Sequence, residues 1–162
     1  GLLNILSQKY SCDWKVFAKS KLMTSELTTL ISKEEETNFD IAIVCIGMND
    51  ITDGKSVKAW MQDIFNLRKI IIDKYDVSKI IFSGIPPVHK LNQVPHPLLH
   101  ILGLKAFVFG KALREFCADN NECFFIDINL PVSNQTMAID GYHPNEVFYR
   151  AWAERISKSI LK

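Results

Sequence analysis

The clearest candidate for acid–base chemistry is the pair formed by Asp140 and His143. Asp140 lies three residues before His143 across a glycine-containing turn, so its carboxylate can accept a hydrogen bond from Nδ1 of the imidazole. Such a bond fixes the tautomer and leaves Nε2 free to act as a general base. Pro144 suits the first position of a helix and keeps His143 extended at the helix mouth. The alternative is an ordinary loop histidine beside a turn-forming aspartate.

A second polar stretch, Gly47-Met48-Asn49-Asp50, directly follows the apolar run 39–46. Glycine permits a sharp turn there, and the side-chain amide of Asn49 would then offer two neutral N–H donors. Neutral donors fixed in place are what a developing oxyanion requires. The alternative is a simple strand-to-helix turn, because Asn and Asp form turns readily.

The elements that must position these residues follow from the hydrophobic pattern. Apolar periodicity and capping residues predict helices over 1–10, from Thr24 or Ser25 to about 34, from Ser56 onward, from Leu98 to about Asp119, and from Pro144 onward. Short apolar runs predict strands over 14–18, 39–46, 79–82 and 123–127. Their alternation indicates a parallel sheet with helices on both faces, whose ligand site lies beyond the carboxyl ends of the strands.

Composition and charge exclude several classes of protein. The 162 residues are 48% hydrophobic and 23% charged, with a net charge of +1, so no electrostatic pattern for nucleic acid appears. No apolar run is long enough for stable membrane insertion. We expect reduced thiols and a cytoplasmic protein, with Cys45 as a small core residue. The remaining histidines show no metal-ligand spacing and are expected to form a lid or wall facing the substrate: His89, His96 and His100.

Both polar stretches resemble conserved blocks of the SGNH (GDSL-type) hydrolases. Residues 47–50 have the form Gly-x-Asn-Asp and residues 140–144 the form Asp-x-x-His-Pro, and the similarity extends over 14–30 and 82–87. The resemblance implies a single domain over 1–162 with a flavodoxin-like three-layer α/β/α sandwich. It implies a serine esterase, lipase or acylhydrolase without metal or cofactor. In that family Asp140 and His143 would be triad members and Asn49 would donate to the oxyanion hole.

The sequence departs from the family pattern in two places. The Gly-Asp-Ser block that carries the nucleophile would precede the helix at 1–10, and the serines within the chain lack its sequence setting: Ser7, Ser20, Ser83 and Ser133. We therefore expect the first strand to be missing and 1–162 to be the C-terminal portion of a longer domain. Lys21 takes the position of an oxyanion-hole glycine. We expect a negative φ at Lys21, a solvent-facing side chain and a usable backbone N–H.

The leading hypothesis is a serine ester hydrolase acting on small acyl or lysophospholipid-like esters, with the serine upstream of Gly1. The alternative is a non-catalytic binding protein on the same scaffold, which the absent serine and Lys21 favour. A nucleotide- or flavin-binding domain is a weaker third possibility, because the chain contains no G-x-G-x-x-G phosphate loop.

Overall fold

The computed structural model describes residues 2–86, 96–128, 136–138 and 144–160. Six helices and three strands lie within these residues. The helices are α1 (Leu2–Leu6), α2 (Thr24–Ser32), α3 (Met48–Thr52), α4 (Val57–Tyr75), α5 (Leu98–Ala118) and α6 (Glu146–Ile160). The strands are β1 (Ile41–Val44), β2 (Lys79–Ser83) and β3 (Cys123–Ile126).

The strands form one parallel sheet in the order β1-β2-β3. Ile41 pairs with Lys79, and Ile80 pairs with Cys123. Parallel neighbours need a long crossover connection; α4 lies between β1 and β2 along the chain, and α5 lies between β2 and β3. The predicted parallel sheet is therefore confirmed.

Successive residues of β2 point to opposite faces of the sheet and enter two separate hydrophobic clusters. Ile80 and Phe82 belong to the larger cluster, which contains the buried residues of α4 and α5. Ile81 belongs to the smaller cluster with Ile126 and with Ile156 of α6. Helices thus cover both faces, which confirms the predicted three-layer α/β/α sandwich.

The long helices follow their sequence signals closely. The α4 helix begins after Ser56, whose side chain accepts a hydrogen bond from the backbone N–H of Ala59 at 3.2 Å. Its buried stripe repeats at the predicted three- and four-residue spacing: Trp60, Ile64, Leu67, Ile71 and Tyr75. Within the described part of the chain, no helix is both long and apolar enough to cross a membrane.

The strand predicted at 14–18 is wrong. That segment has no strand assignment, and Trp14 and Val16 are 61% and 65% exposed. A strand needs a neighbour that completes its backbone hydrogen bonds, and among the described residues β1 pairs only with β2. Cys45, which follows β1, is exposed as well, so its predicted core position is also wrong.

Three helix starts and ends also differ from prediction. The first helix stops at Leu6, and α6 begins at Glu146 rather than at Pro144. The side-chain oxygen of Asn145 caps α6 by accepting hydrogen bonds from the N–H groups of Val147 and Phe148, at 2.9 and 3.3 Å. The cap of α2 is Met23, whose N–H donates to the Glu26 carboxylate at 2.9 Å.

Candidate functional site

A pocket of about 280 Å³ lies at the carboxyl ends of all three strands, where ligand sites of open parallel sheets are expected. Segments that follow β1, β2 and β3 line it together with the start of α6. The lining residues include Gly47, Met48, Asn49, Ser83, Gly84, Pro86, Ile128, Pro144, Phe148 and Trp152. Most of this lining is apolar.

Gly47 makes the turn that brings Asn49 to this pocket. Its φ of 114° belongs to the region that favours glycine, and the short helix α3 begins at the next residue. A Cβ atom at Gly47 would lie 2.9 Å from Cζ2 of Trp60, which is fully buried. Both the backbone conformation and the packing therefore require glycine here.

Asn49 is held by a hydrogen bond to the chain ahead of α2. Its Nδ2 donates to the carbonyl oxygen of Leu22 at 2.9 Å. This bond uses one of the two amide hydrogens and fixes the plane of the side chain, so the second hydrogen has a defined direction. A donor held in this way is suited to an oxyanion hole.

Lys21 precedes Leu22, and the predicted negative φ at Lys21 is wrong. The observed φ is 59°, a left-handed conformation, while the residue is exposed as expected. The position thus keeps the backbone that a glycine would supply, although a non-glycine residue pays about 1–2 kcal/mol for it. Among the hydrogen bonds of the described residues, none uses the backbone N–H of Lys21.

Asp50 is the centre of a buried network that the sequence did not reveal. Its carboxylate is fully buried and accepts hydrogen bonds from the N–H and Oγ1 of Thr24 at 3.1 and 2.8 Å. Lys55 Nζ donates to Asp50 at 2.8 Å and to Asp63 at 2.6 Å. Trp60 Nε1 donates to Thr24 Oγ1 at 2.9 Å. These five residues, the Asp50 network, tie α2, α3 and α4 together.

The network explains why Thr24 does not cap α2 as predicted, since its hydroxyl bonds Asp50 instead. Burial alone would lower the pKa of Lys55, but the carboxylates of Asp50 and Asp63 outweigh it and raise the pKa above its ordinary value. A protonated Lys55 therefore balances the buried carboxylate. The only available sequence signal was Asp50 itself, a charged residue directly after a strand.

Asp140 and His143 lie outside the described residues, and so does His89. Their roles therefore stay predictions. Pro144, the residue after His143, is described and lines the pocket. His96 and His100 are exposed, with their Nδ1 atoms 2.9 Å apart. Neither lines the pocket, so these two do not form the expected wall.

A larger, shallow depression of about 600 Å³ lies between α2 and α4. Its lining is dominated by charged and polar residues of the helix surfaces, among them Glu36, Lys69 and Asp73. It includes no residue from the strand ends. We therefore take the smaller pocket at the sheet edge as the candidate site.

A family profile described as GDSL-like lipase/acylhydrolase matches residues 15–156. The chain belongs to this family, and that membership supports an esterase or lipase type of activity. No curated protein matches the sequence.

Three solved structures illustrate the shared fold. A GDSL-like lipase from Bacteroides thetaiotaomicron is 14% identical with a TM-score of 0.67, over 87% of this chain and 72% of that one. The esterase EstA from Pseudoalteromonas is 18% identical with a TM-score of 0.60, over the same shares of the two chains, 87% and 72%. The OSK domain of Drosophila Oskar is 16% identical with a TM-score of 0.65, over 98% and 82%. At these identities the similarity concerns the fold alone.

Proposed function

We propose that the protein is a serine ester hydrolase of SGNH type, acting on small acyl or lysophospholipid-like esters. The observation that carries the proposal is that Asn49 and Pro144, the neighbour of His143, line one pocket at the strand ends. The family match supplies the class of chemistry. We take residues 1–162 as part of a single hydrolase domain, with the nucleophilic serine in a Gly-Asp-Ser block ahead of Gly1.

In the proposed reaction, the serine Oγ attacks the ester carbonyl carbon and His143 Nε2 takes the hydroxyl proton. Asp140 accepts a hydrogen bond from Nδ1–H and stabilises the imidazolium. The tetrahedral intermediate collapses when the C–O bond to the alcohol breaks and His143 returns the proton to that oxygen. Water then attacks the acyl-enzyme with His143 again as base, which releases the acid and the free serine.

The negative oxygen of each tetrahedral intermediate would be bound by two donors. One is the second amide hydrogen of Asn49, whose first hydrogen is engaged by Leu22. The other is the backbone N–H of Lys21, which does not itself line the pocket but precedes Leu22, the residue bonded to Asn49. The left-handed φ of 59° at Lys21 is the conformation that glycine adopts readily, so the lysine need not displace this N–H.

The alternative proposal is a non-catalytic binding protein on the same scaffold. Two observations favour it: the serines of the chain lack the setting of a nucleophile, and Lys21 stands where the family has glycine. Such a protein would bind an acyl ligand in the pocket of about 280 Å³ without turning it over.

Hydrolysis of a short p-nitrophenyl ester by the full-length gene product separates the two. For an enzyme, we expect His143→Ala to lower kcat by about 10³-fold or more and Asn49→Ala to lower it by about 10²–10³-fold. Asn66→Ala is the matched control for Asn49, because Asn66 is exposed on α4 away from the pocket.

Folded His143→Ala and Asn49→Ala variants with wild-type rates would show that the proposed mechanism is wrong. A wild-type protein that binds a non-hydrolysable phosphonate analogue of the ester, yet shows no turnover, would establish the binding protein instead.

A further inference from the structure

The outward side of the first three turns of α5 is apolar. Five large hydrophobic residues there are 41–69% exposed: Leu98, Ile101, Leu104, Phe107 and Val108. We name this surface the α5 apolar face. The buried residues of the helix include Ala106, Phe109 and Leu113, which lie on the side turned away from Leu104 and Phe107. Single exposed apolar residues are common on proteins, but a contiguous group marks an interaction surface.

The apolar character stops within the helix. The exposed residues of the last two turns include Lys111, Arg114 and Glu115, and Lys111 pairs with Glu115 at 3.7 Å while Arg114 pairs with Asp127 at 2.9 Å. A solvated helix would carry charged residues along its whole outer side. The first half of α5 departs from that pattern.

The α5 apolar face lies at the same end of the molecule as the candidate site. Because α5 connects the parallel strands β2 and β3, it starts near the carboxyl ends of the strands and runs back toward their amino ends. Phe109 of α5 stacks on Trp60, with ring centroids 4.7 Å apart, and Trp60 contacts Gly47 at the pocket. A surface bound to this face would therefore be close to the pocket.

The charges around the α5 apolar face select the partner. No Asp or Glu occurs in α5 before Glu115, whereas the helix carries Lys105, Lys111 and Arg114. Lys105 lies within the apolar turns and Lys111 one turn beyond them. A second copy of the chain would bring the same basic residues together across a two-fold axis. Anionic lipid headgroups would instead be attracted to them.

We propose that the α5 apolar face adsorbs the protein to the surface of an anionic lipid bilayer. The large side chains enter the headgroup region and the lysines contact the phosphates, as for interfacial helices in general. The inference rests on the proposed function, because adsorption through this face would bring acyl esters of the bilayer surface to the adjacent pocket. It requires no spanning helix, and none is found among the described residues.

The test is flotation of the full-length protein with vesicles of phosphatidylcholine and phosphatidylglycerol in a two-to-one ratio, compared with phosphatidylcholine alone. We expect binding to the anionic vesicles, reduced at least about tenfold by the double change Leu104→Ser and Phe107→Ser. The matched control is Trp14→Ser with Val16→Ser in the segment before α2, whose residues are 61% and 65% exposed and do not line the pocket. Thermal melting checks that each variant is folded.

Absence of binding to both kinds of vesicle would overturn the proposal. So would vesicle binding that the α5 variant leaves unchanged. Self-association seen by light scattering and abolished by the α5 variant, without vesicle binding, would assign the face to a second copy. Vesicle binding needs no turnover, so a protein that binds vesicles but cleaves no soluble ester would contradict the proposed function alone.

Discussion

The segments on the two sides of α2 in the sequence differ in how firmly they are held. After α2, the turn at Asn49 and Asp50 is joined to α2 and α4 by the Asp50 network, and Asp50 is fully buried. Before α2, residues 10–16 are all exposed, and we call them the exposed N-terminal segment. Its Tyr10, Trp14 and Val16 are 53–65% exposed. Trp60 of the network is fully buried, whereas Trp14 of the N-terminal segment is 61% exposed.

The difference shows that Asn49, a candidate oxyanion donor, is held by the chain next to α2 and not by the exposed N-terminal segment. Asn49 donates a hydrogen bond to Leu22, and Asp50 accepts one from Thr24. These two hydrogen bonds fix the chain at the start of α2. Every buried side-chain nitrogen and oxygen atom in the described residues has a hydrogen-bond partner. This half of the site is therefore organised before any substrate arrives, which is the condition for electrostatic stabilisation of a transition state.

Within the Asp50 network, the largest loss of stability is expected for Asp50→Asn. The change removes a buried charge and leaves Thr24 and Lys55 with an amide in place of two carboxylate oxygens, at a cost of about 2–4 kcal/mol in the free energy of unfolding. Urea denaturation measures it. The loss of unfolding free energy should stay below the upper end of the range for broken buried ion pairs, because Lys55 retains its ion pair with Asp63.

Two controls test whether this cost belongs to the Asp50 network. Asp63→Asn should cost about 1 kcal/mol, since Asp63 is 20% exposed and bonds only Lys55 of the network. Trp14→Ser, in the exposed N-terminal segment, should change stability by less than about 0.5 kcal/mol. Equal costs for all three changes would contradict the comparison between the two segments.

A smaller effect is expected for the difference in stability between Gly47→Ala and Gly54→Ala, which separates the two causes of the loss at Gly47. Both glycines have positive φ, 114° and 85°, so each change strains the backbone by about 1–3 kcal/mol. Only at Gly47 would the new methyl group meet Trp60, whereas nothing lies within 4 Å at Gly54. We expect Gly47→Ala to cost about 1–3 kcal/mol more than Gly54→Ala because of overpacking. Equal losses in urea denaturation would show that Trp60 moves aside freely.

The sequence predicted those parts of the molecule in which local pattern and packing agree. The α4 helix was predicted because its cap, Ser56, and its buried stripe are all within the helix itself. The segment 14–18 was predicted wrongly, because a strand depends on a distant neighbour that its own residues cannot specify. Cys45 follows β1, whose free edge has no described strand beside it, and was misplaced for the same reason.

In the candidate site, too, features set by local sequence were predicted and features set by distant contacts were missed. Gly47 and Asn49 were identified because their position after a buried run fixes where they lie. The Asp50 network was missed because its members come from three helices and the connection between two of them, and the sequence separation of Thr24 and Asp50 gives no sign of their contact. Lys21 was assigned the wrong φ because lysine rarely adopts a left-handed conformation, and only the turn that precedes Leu22 imposes it.

The smallest effect is expected for Lys21→Gly. Relief of the left-handed strain gains about 1–2 kcal/mol, and the greater chain entropy of glycine in the unfolded state offsets about 0.5–1 kcal/mol of it. The net gain in stability should therefore lie between about 0 and 1.5 kcal/mol. Asp76→Gly is the matched control: Asp76 also has a positive φ, 49°, and lies at the end of α4 away from the pocket. It should show a similar or smaller gain in urea denaturation.

The same pair of variants shows whether Lys21 obstructs the site. Because φ at Lys21 already has the sign that glycine favours, the backbone N–H should keep its direction, and Lys21 does not line the pocket. Ester turnover by the full-length protein should then change by less than about tenfold, which corresponds to 1.4 kcal/mol in the barrier. A sharp rise with Lys21→Gly but not with Asp76→Gly would mean that the lysine blocks the hole. In that case the protein would be a degenerate hydrolase. Asn49 would still be held in place by Leu22, but Lys21 would prevent substrate from reaching it.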